Sequence, residues 1–145
     1  MAAEGGVRTF DLSVVTPDGA AFEGEAEMVI VPGAAGEIGV LARHAPLVAT
    51  LKAGSMRIYR DRAAEDVLEF ATGPGFFKVE LDSAIALVDD AVDVKEIDDA
   101  RAQAQLEAAK AELEKVEAGE SSADRWQLEQ RILHAQNQLT VAGRT

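Results

Sequence analysis

The feature that most constrains this chain is a change in the period of its apolar residues near Asp93. Upstream, Phe10, Leu12 and Val14 alternate with Asp11 and Ser13. That is the period of two of a half-buried strand, whose successive side chains point to opposite faces. Downstream, Ala102, Leu106, Ala109, Leu113 and Val116 fall four, three, four and three apart, which lines them along one helix face. Two periods in 145 residues predict two bodies, a strand-built domain over residues 1–92 and a helical one over 93–145.

The first body reads as short apolar runs broken by turn chemistry. Thr16-Pro17-Asp18-Gly19 is a turn, since Pro presets the first turn angle and Gly accepts positive φ. Beyond Phe10–Val14, strands are expected at Ala26–Val31, stopped by Pro32-Gly33, and at Ile38–Leu41, Leu47–Leu51 and Met56–Arg60. Val67–Thr72, Phe76–Leu81 and Ala84–Val88 complete the set. Turn signals about every eight to twelve residues suit a mostly-β sandwich or barrel of about eight to ten short antiparallel strands. The lack of an intervening helical pattern argues against βαβ units and a nucleotide-binding parallel sheet.

In the second body, Asp93 followed by Glu96 fits a capping box at a helix start. Gly119 breaks the stripe, and Glu120-Ser121-Ser122-Ala123 reads as polar loop with a serine cap. A second stripe follows in Leu128, Ile132, Ala135, Leu139 and Ala142. Two matched stripes joined by a short loop predict a C-terminal antiparallel two-helix hairpin that hides its apolar face against itself. The seam is rich in alanine, and at ~25 cal/mol per Å2 of buried apolar surface it holds only weakly. Two readings stay open: close packing through small residues, or a hairpin able to open along a partner.

Composition removes several function classes. The chain carries 14 basic and 26 acidic residues, a formal charge of -12, which repels nucleic-acid phosphates and anionic lipid headgroups. Without cysteine it has neither disulfides nor thiolate metal sites. His44 and His134 are its two histidines and fall on different bodies with no metal-ligand spacing. No serine sits in a nucleophile elbow, and neither Gly33, Gly36 and Gly39 nor Gly73-Pro74-Gly75 makes a phosphate loop. Catalysis is not expected, nor a cofactor, nor direct lipid insertion, since no stretch approaches the ~18 to 20 apolar residues of a span. Met1–Gly6 lacks the marks of a secretory or mitochondrial leader, so a cytoplasmic, unexported protein is expected.

Three stretches carry a resemblance. Gly36-Glu37-Ile38-Gly39-Val40-Leu41-Ala42-Arg43-His44-Ala45-Pro46-Leu47, with the spacing on to Leu51 and Gly54, resembles the loop-strand signature of ATP synthase epsilon subunits. Gly73-Pro74-Gly75-Phe76-Phe77-Lys78-Val79, followed by Ile85–Ala91, resembles that family's second sandwich signature, with Pro74 in place of a glycine. Ile97-Asp98-Asp99-Ala100-Arg101-Ala102 is similar to the motif that opens the family's first tail helix.

The resemblance implies a non-catalytic central-stalk subunit of a bacterial F-type synthase, at the cytoplasmic face of the inner membrane as a peripheral part of the complex. It would couple proton-driven rotation to ATP synthesis, with the gamma subunit, the c-subunit ring and, when the tail extends, the alpha/beta catalytic head as partners. Glu37 and His44 are carried over as interface candidates toward the c ring and gamma. Association with gamma needs an apolar patch on one sandwich face, and Met28, Ile30, Phe76 and Phe77 are contributors to either core or patch. The alternative the resemblance implies is an ATP-sensing module whose hairpin folds on nucleotide, with Asp98, Arg101 and Arg125 as contacts and ATP as a regulatory ligand. ATP-binding relatives place two arginines one turn apart on the second helix. Here Arg125 and Arg131 are six apart and Glu129 falls one turn after Arg125, where a carboxylate repels phosphate.

Overall fold

Residues 8–61 and 66–143 are described by a computed structural model; the Met1–Gly6 run lies outside them. Ten strands come first: β1 (Phe10–Thr16), β2 (Gly19–Ala26), β3 (Met28–Gly33), β4 (Gly36–Leu41) and β5 (His44–Leu51), then β6 (Gly54–Asp61), β7 (Asp66–Thr72), β8 (Gly75–Leu81), β9 (Ser83–Val88) and β10 (Ala91–Asp93). They form one sheet in the order β10-β7-β6-β3-β5-β8-β9-β1-β2, with β4 paired to β3. The sheet folds over on itself into a nearly closed sandwich, so alternate residues of most strands meet inside. Leu12, Val14, Val29, Val31, Val40, Leu51, Met56, Ile58, Phe77 and Val79 are all 1% exposed or less, which is the core the alternation predicts.

Three departures from the expected strands have physical causes. The first is β2, whose sequence Gly-Ala-Ala-Phe-Glu-Gly-Glu-Ala offers little strand preference. It is a mostly exposed edge, held by its register with β1, and its glutamates blunt that edge against further pairing. The run expected at Ala26–Val31 is therefore divided, with Ala26 closing β2 and β3 opening at Met28. The second is β10, three residues paired to the end of β7 and too short to show a period. The third is direction: β1 and β9 run parallel, from Asp11 beside Ser83 to Val15 beside Leu87, where antiparallel pairing was expected throughout. The direction of β9 is set by its antiparallel pairing with β8, and it meets β1 pointing the same way.

Two helices follow, α1 (Asp99–Glu117) and α2 (Arg125–Val141). The expected capping box at Asp93 instead caps a 3-10 turn over Val94–Glu96, where the Asp93 side chain accepts from the Lys95 N–H at 2.9 Å. The cap of α1 is Asp98, which accepts the Arg101 N–H at 3.0 Å. Gly119, at φ 77°, ends α1: its own N–H reaches the Val116 carbonyl and that of Glu120 reaches Lys115, satisfying two orphaned acceptors. No serine caps α2. Asp124 does, accepting from Trp126 and Gln127, because a carboxylate beside a helix N-terminus gains from the backbone dipole as well as the hydrogen bond.

Ala102, Leu106, Ala135 and Leu139 bury against one another with Ile132 beside them, so the hairpin closes on the stripe predicted from spacing. It does more than cover itself. The α2 helix also lies against β6 and β7.

Candidate functional site

Glu37 lies one residue into β4, exposed, with its carboxylate 3.0 Å from the Arg57 guanidinium of β6. An exposed pair of this kind contributes about 1 kcal/mol or less, so it orients Glu37 without locking it. His44 opens β5 just after Arg43, whose φ of 64° makes the tight turn. Its Nδ1 donates to the Ala45 carbonyl at 2.7 Å, which puts the ring proton on Nδ1. Glu37 pairs in register with Pro32, and His44 with Leu81. The length of β4 separates them, roughly 13 Å of extended chain, so the two do not converge on one point.

Sequence spacing did not locate the apolar face; strand register does. Thr50, Phe76, Leu87 and Val15 are successive neighbours across β5, β8, β9 and β1. Val48, Lys78, Ile85 and Ser13 form the next row. Phe77 points inward and is wholly buried, so Phe76 must point out. Val48, Phe76 and Leu87 are 69%, 60% and 49% exposed. Of the four residues named as core or patch, Phe77 is core, Phe76 belongs to this face, and Met28 and Ile30 are half-buried on β3. Large apolar side chains clustered on a sheet face mark a surface that takes a partner.

The tail places Asp98, Arg101 and Arg125 in two locations. Asp98 is committed to its cap, while Arg101 lines a small cavity of about 260 Å3 with Val92, Glu96 and Gln105, and no ion pair engages its guanidinium among the described residues. Arg125 sits beside the far end of α1, bonded to Glu117 at 2.9 Å and to Glu129 at 3.2 Å. Arg101 and Glu117 are sixteen positions apart along α1, about 24 Å at helical rise. In the folded-down hairpin no single small ligand touches both arginines.

A cluster that spacing gave no sign of lies where α2 meets the sandwich. A groove of about 710 Å3 between the helices is lined by Asp90, Glu112, Arg131, His134 and Gln138 among others. His134 Nε2 is 3.2 Å from an Asp89 oxygen, and Asn137 donates to the carbonyls of Gly54 and Thr72 at 3.2 and 3.0 Å. Burial pushes the Asp90 carboxyl above its usual range, with Asp89 adding to the rise and His134 and Gln138 opposing it. Gly73 makes room for this: a Cβ there would lie 1.7 Å from the Asp89 oxygen and 3.2 Å from His134 Nε2. Asp89 and His134 are 45 apart in the chain, so only the folded structure unites them.

A family model described as "ATP synthase, Delta/Epsilon chain, beta-sandwich domain" matches residues 9–94, so the strand-built part is a sandwich of that class. The ATP synthase epsilon chain of Laribacter hongkongensis is 42% identical over 107 residues, 74% of this chain and 76% of that protein. That of Halalkalibacterium halodurans is 37% identical over 136 residues, 94% of this chain and 98% of that one. The chain belongs to the ATP synthase epsilon chain family. Another relative is the "ATP synthase epsilon chain, sodium ion specific" of Propionigenium modestum, 41% identical over 108 residues that make up 74% of this chain and 77% of that protein. Among solved structures, a chain in the cryo-EM structure of the Euglena gracilis mitochondrial ATP synthase (OSCP/F1/c-ring, rotational state 1) superposes with a TM-score of 0.63. At 20% identity, over 99% of this chain and 84% of that one, the likeness speaks to the fold.

Proposed function

We propose that this epsilon chain is a non-catalytic rotor subunit of the central stalk, passing c-ring rotation to the catalytic head by rigid packing against gamma. The observation that carries the reading is the exposed apolar face of Val48, Phe76 and Leu87 on a sandwich whose core is otherwise closed. Gamma is the partner assigned to this face. Glu37, near the start of β4, and His44, at the start of β5, are assigned to the c-ring and gamma margins. No helix among the described residues is long and apolar enough to cross a membrane. Attachment to the cytoplasmic face of the inner membrane then comes through the ring.

Mixing the purified chain with gamma and measuring affinity tests the reading. Phe76→Glu places a charge in the centre of the face, where burial without a partner is costly, and should weaken binding by at least tenfold. The side chain is already exposed, so the fold should be unaffected. Unchanged affinity for Phe76→Glu would overturn the assignment.

From Asp93 onward the chain has 7 basic and 11 acidic residues, a formal -4. Such a tail gains little Coulomb energy against an acidic loop of the alpha/beta head, so inhibition by an extended tail is weak or absent. Deleting the residues after Val94 should leave ATP hydrolysis by the assembled head unchanged, and a severalfold rise would refute this. What favours the ATP-sensing alternative is Arg101, facing its cavity without an ion pair among the described residues. Against it stand Asp98's commitment to the cap and the distance to Arg125. Saturable micromolar binding of ATP to the isolated chain would favour the sensor.

A further inference from the structure

The outer face of β5, β8, β9 and β1 changes character along its strands. The row of Thr50, Phe76, Leu87 and Val15 is apolar but for one hydroxyl, and the row of Val48, Lys78, Ile85 and Ser13 mixes apolar and polar groups. Two residues further on, Glu80, Ser83 and Asp11 are register neighbours, and all three are exposed. Strand rise puts about 13 Å between the first row and the third. A cavity of about 280 Å3 opens at the polar end, lined by Asp11, Ser13, Lys78, Glu80, Ser83 and Ile85. Lys78 Nζ stands 3.4 Å from Glu80 Oε2, an exposed pair that neutralises part of one carboxylate. No ion pair engages Asp11 among the described residues. With the hairpin docked on β6 and β7, Phe76 at one end of this face and Glu80 at the other are both exposed.

We propose that this face is a keyed docking surface. It takes gamma in one orientation, with an apolar segment over Phe76 and Leu87 and a lysine or arginine of gamma in the cavity beside Asp11 and Glu80. The proposal rests on the assignment of gamma to this face and adds the chemistry of what docks there. Two carboxylates and the hydroxyls of Ser13 and Ser83 offer acceptors, and an ammonium or guanidinium brings only donors. Lys78 occupies one side of Glu80 and leaves Asp11 to the incoming cation. Turned end for end, the partner would set its cation on Phe76 and its apolar segment on two carboxylates, burying charge without a counter-charge. The same pattern argues against a second copy of this chain. Two copies packed face to face about a two-fold axis bring either the acidic rows together or the acidic row onto the apolar one. Neither is complementary, and the formal charge of -12 adds repulsion between whole molecules. A partner with a basic group fits where an identical chain does not.

Affinity of the full chain for purified gamma, measured at about 50 mM and about 500 mM salt, provides the test. The double variant Asp11→Lys with Glu80→Lys should bind about tenfold or more weakly at the lower salt. That deficit should shrink severalfold at the higher one, because exposed charges are screened. Asp11→Asn with Glu80→Gln keeps the shapes, removes the charge and should lose about threefold. Both positions are exposed, so unfolding midpoints should match the wild type. Phe76→Glu, measured beside them, separates gamma's place on the face from its orientation. If it weakens binding while the double lysine variant stays within about twofold of the wild type at the lower salt, the keyed orientation is overturned and gamma's assignment stands. If Phe76→Glu binds as the wild type does, the assignment falls and the proposal with it. Sedimentation of the chain alone covers the remaining occupant: a stable dimer broken by Phe76→Glu would give the face to a second copy and overturn the proposal.

Discussion

Asn137 is the most direct test of whether the tail's position against the sandwich is held by specific bonds. Its side-chain amide donates to the carbonyls of both Gly54 and Thr72, which are register partners on β6 and β7, so one group bridges two strands. Asn137→Ala removes both donors and leaves two carbonyls facing a half-buried gap. A neutral hydrogen bond contributes about 1 kcal/mol net, and water entering the gap recovers part of the loss. The cost to docking is then about 1 to 2 kcal/mol, a factor of roughly five to thirty in the ratio of docked to released hairpin. The sandwich has its own core, so its unfolding midpoint should stay within experimental error of the wild type. Asn137→Asp goes further, setting a carboxylate against two carbonyl oxygens, and should release the hairpin more than the alanine variant does at pH 7. Proteolytic cleavage rates in the hairpin, measured beside near-UV circular dichroism of the sandwich, provide the readout. If both variants are cleaved within twofold of the wild type, the two hydrogen bonds do not hold the tail and the reasoning fails.

Two further perturbations discriminate between packing and surface roles. Phe77→Ala empties a fully buried site and should cost about 3 to 5 kcal/mol in denaturant unfolding, whereas Phe76→Ala, on the open face, should cost about 0.5 or less. Asp90→Asn should stabilise the folded chain at pH 7, because the folded-state pKa is raised chiefly by burial. Stability tied to a raised carboxyl is intact below the ordinary aspartate value of 3.8 and lost as pH climbs through the folded value. Urea titrations of the wild type and Asp90→Asn should therefore coincide near pH 3.5 and separate towards neutrality, and a constant offset would contradict this.

Much of the fold was legible because periods of two and of three-and-a-half leave visible marks when one face is buried. Phe10, Leu12 and Val14 and the Ala102-to-Val116 stripe are such marks, and both elements formed where spacing placed them. The β2 strand left none, since an exposed edge imposes no apolar alternation. The helix caps were misplaced by a few residues because Asp93, Asp98, Ser121 and Asp124 are all able caps by type. Which one is used depends on where the last strand lets go of the sheet. The candidate residues divide along the same line. Glu37, His44, Asp98 and Arg101 came from local motifs, and the motifs carry no information on distance, so Arg125 was grouped with groups some 24 Å away. The Asp89–His134 contact and the Phe76–Leu87 row depend on register and docking across the whole chain, and local periodicity cannot encode either.

The parallel pairing of β1 with β9 has a mechanical consequence. A tug between the amino end of the sandwich and the root of the tail pulls these two strands along their length in opposite directions. All five register pairs from Asp11–Ser83 to Val15–Leu87 then bear the load together, where a hairpin pulled from its open end would unzip one pair at a time. A body held this way yields abruptly and at high force. Stretching the molecule by its ends should show the helices giving way first and the strand block last.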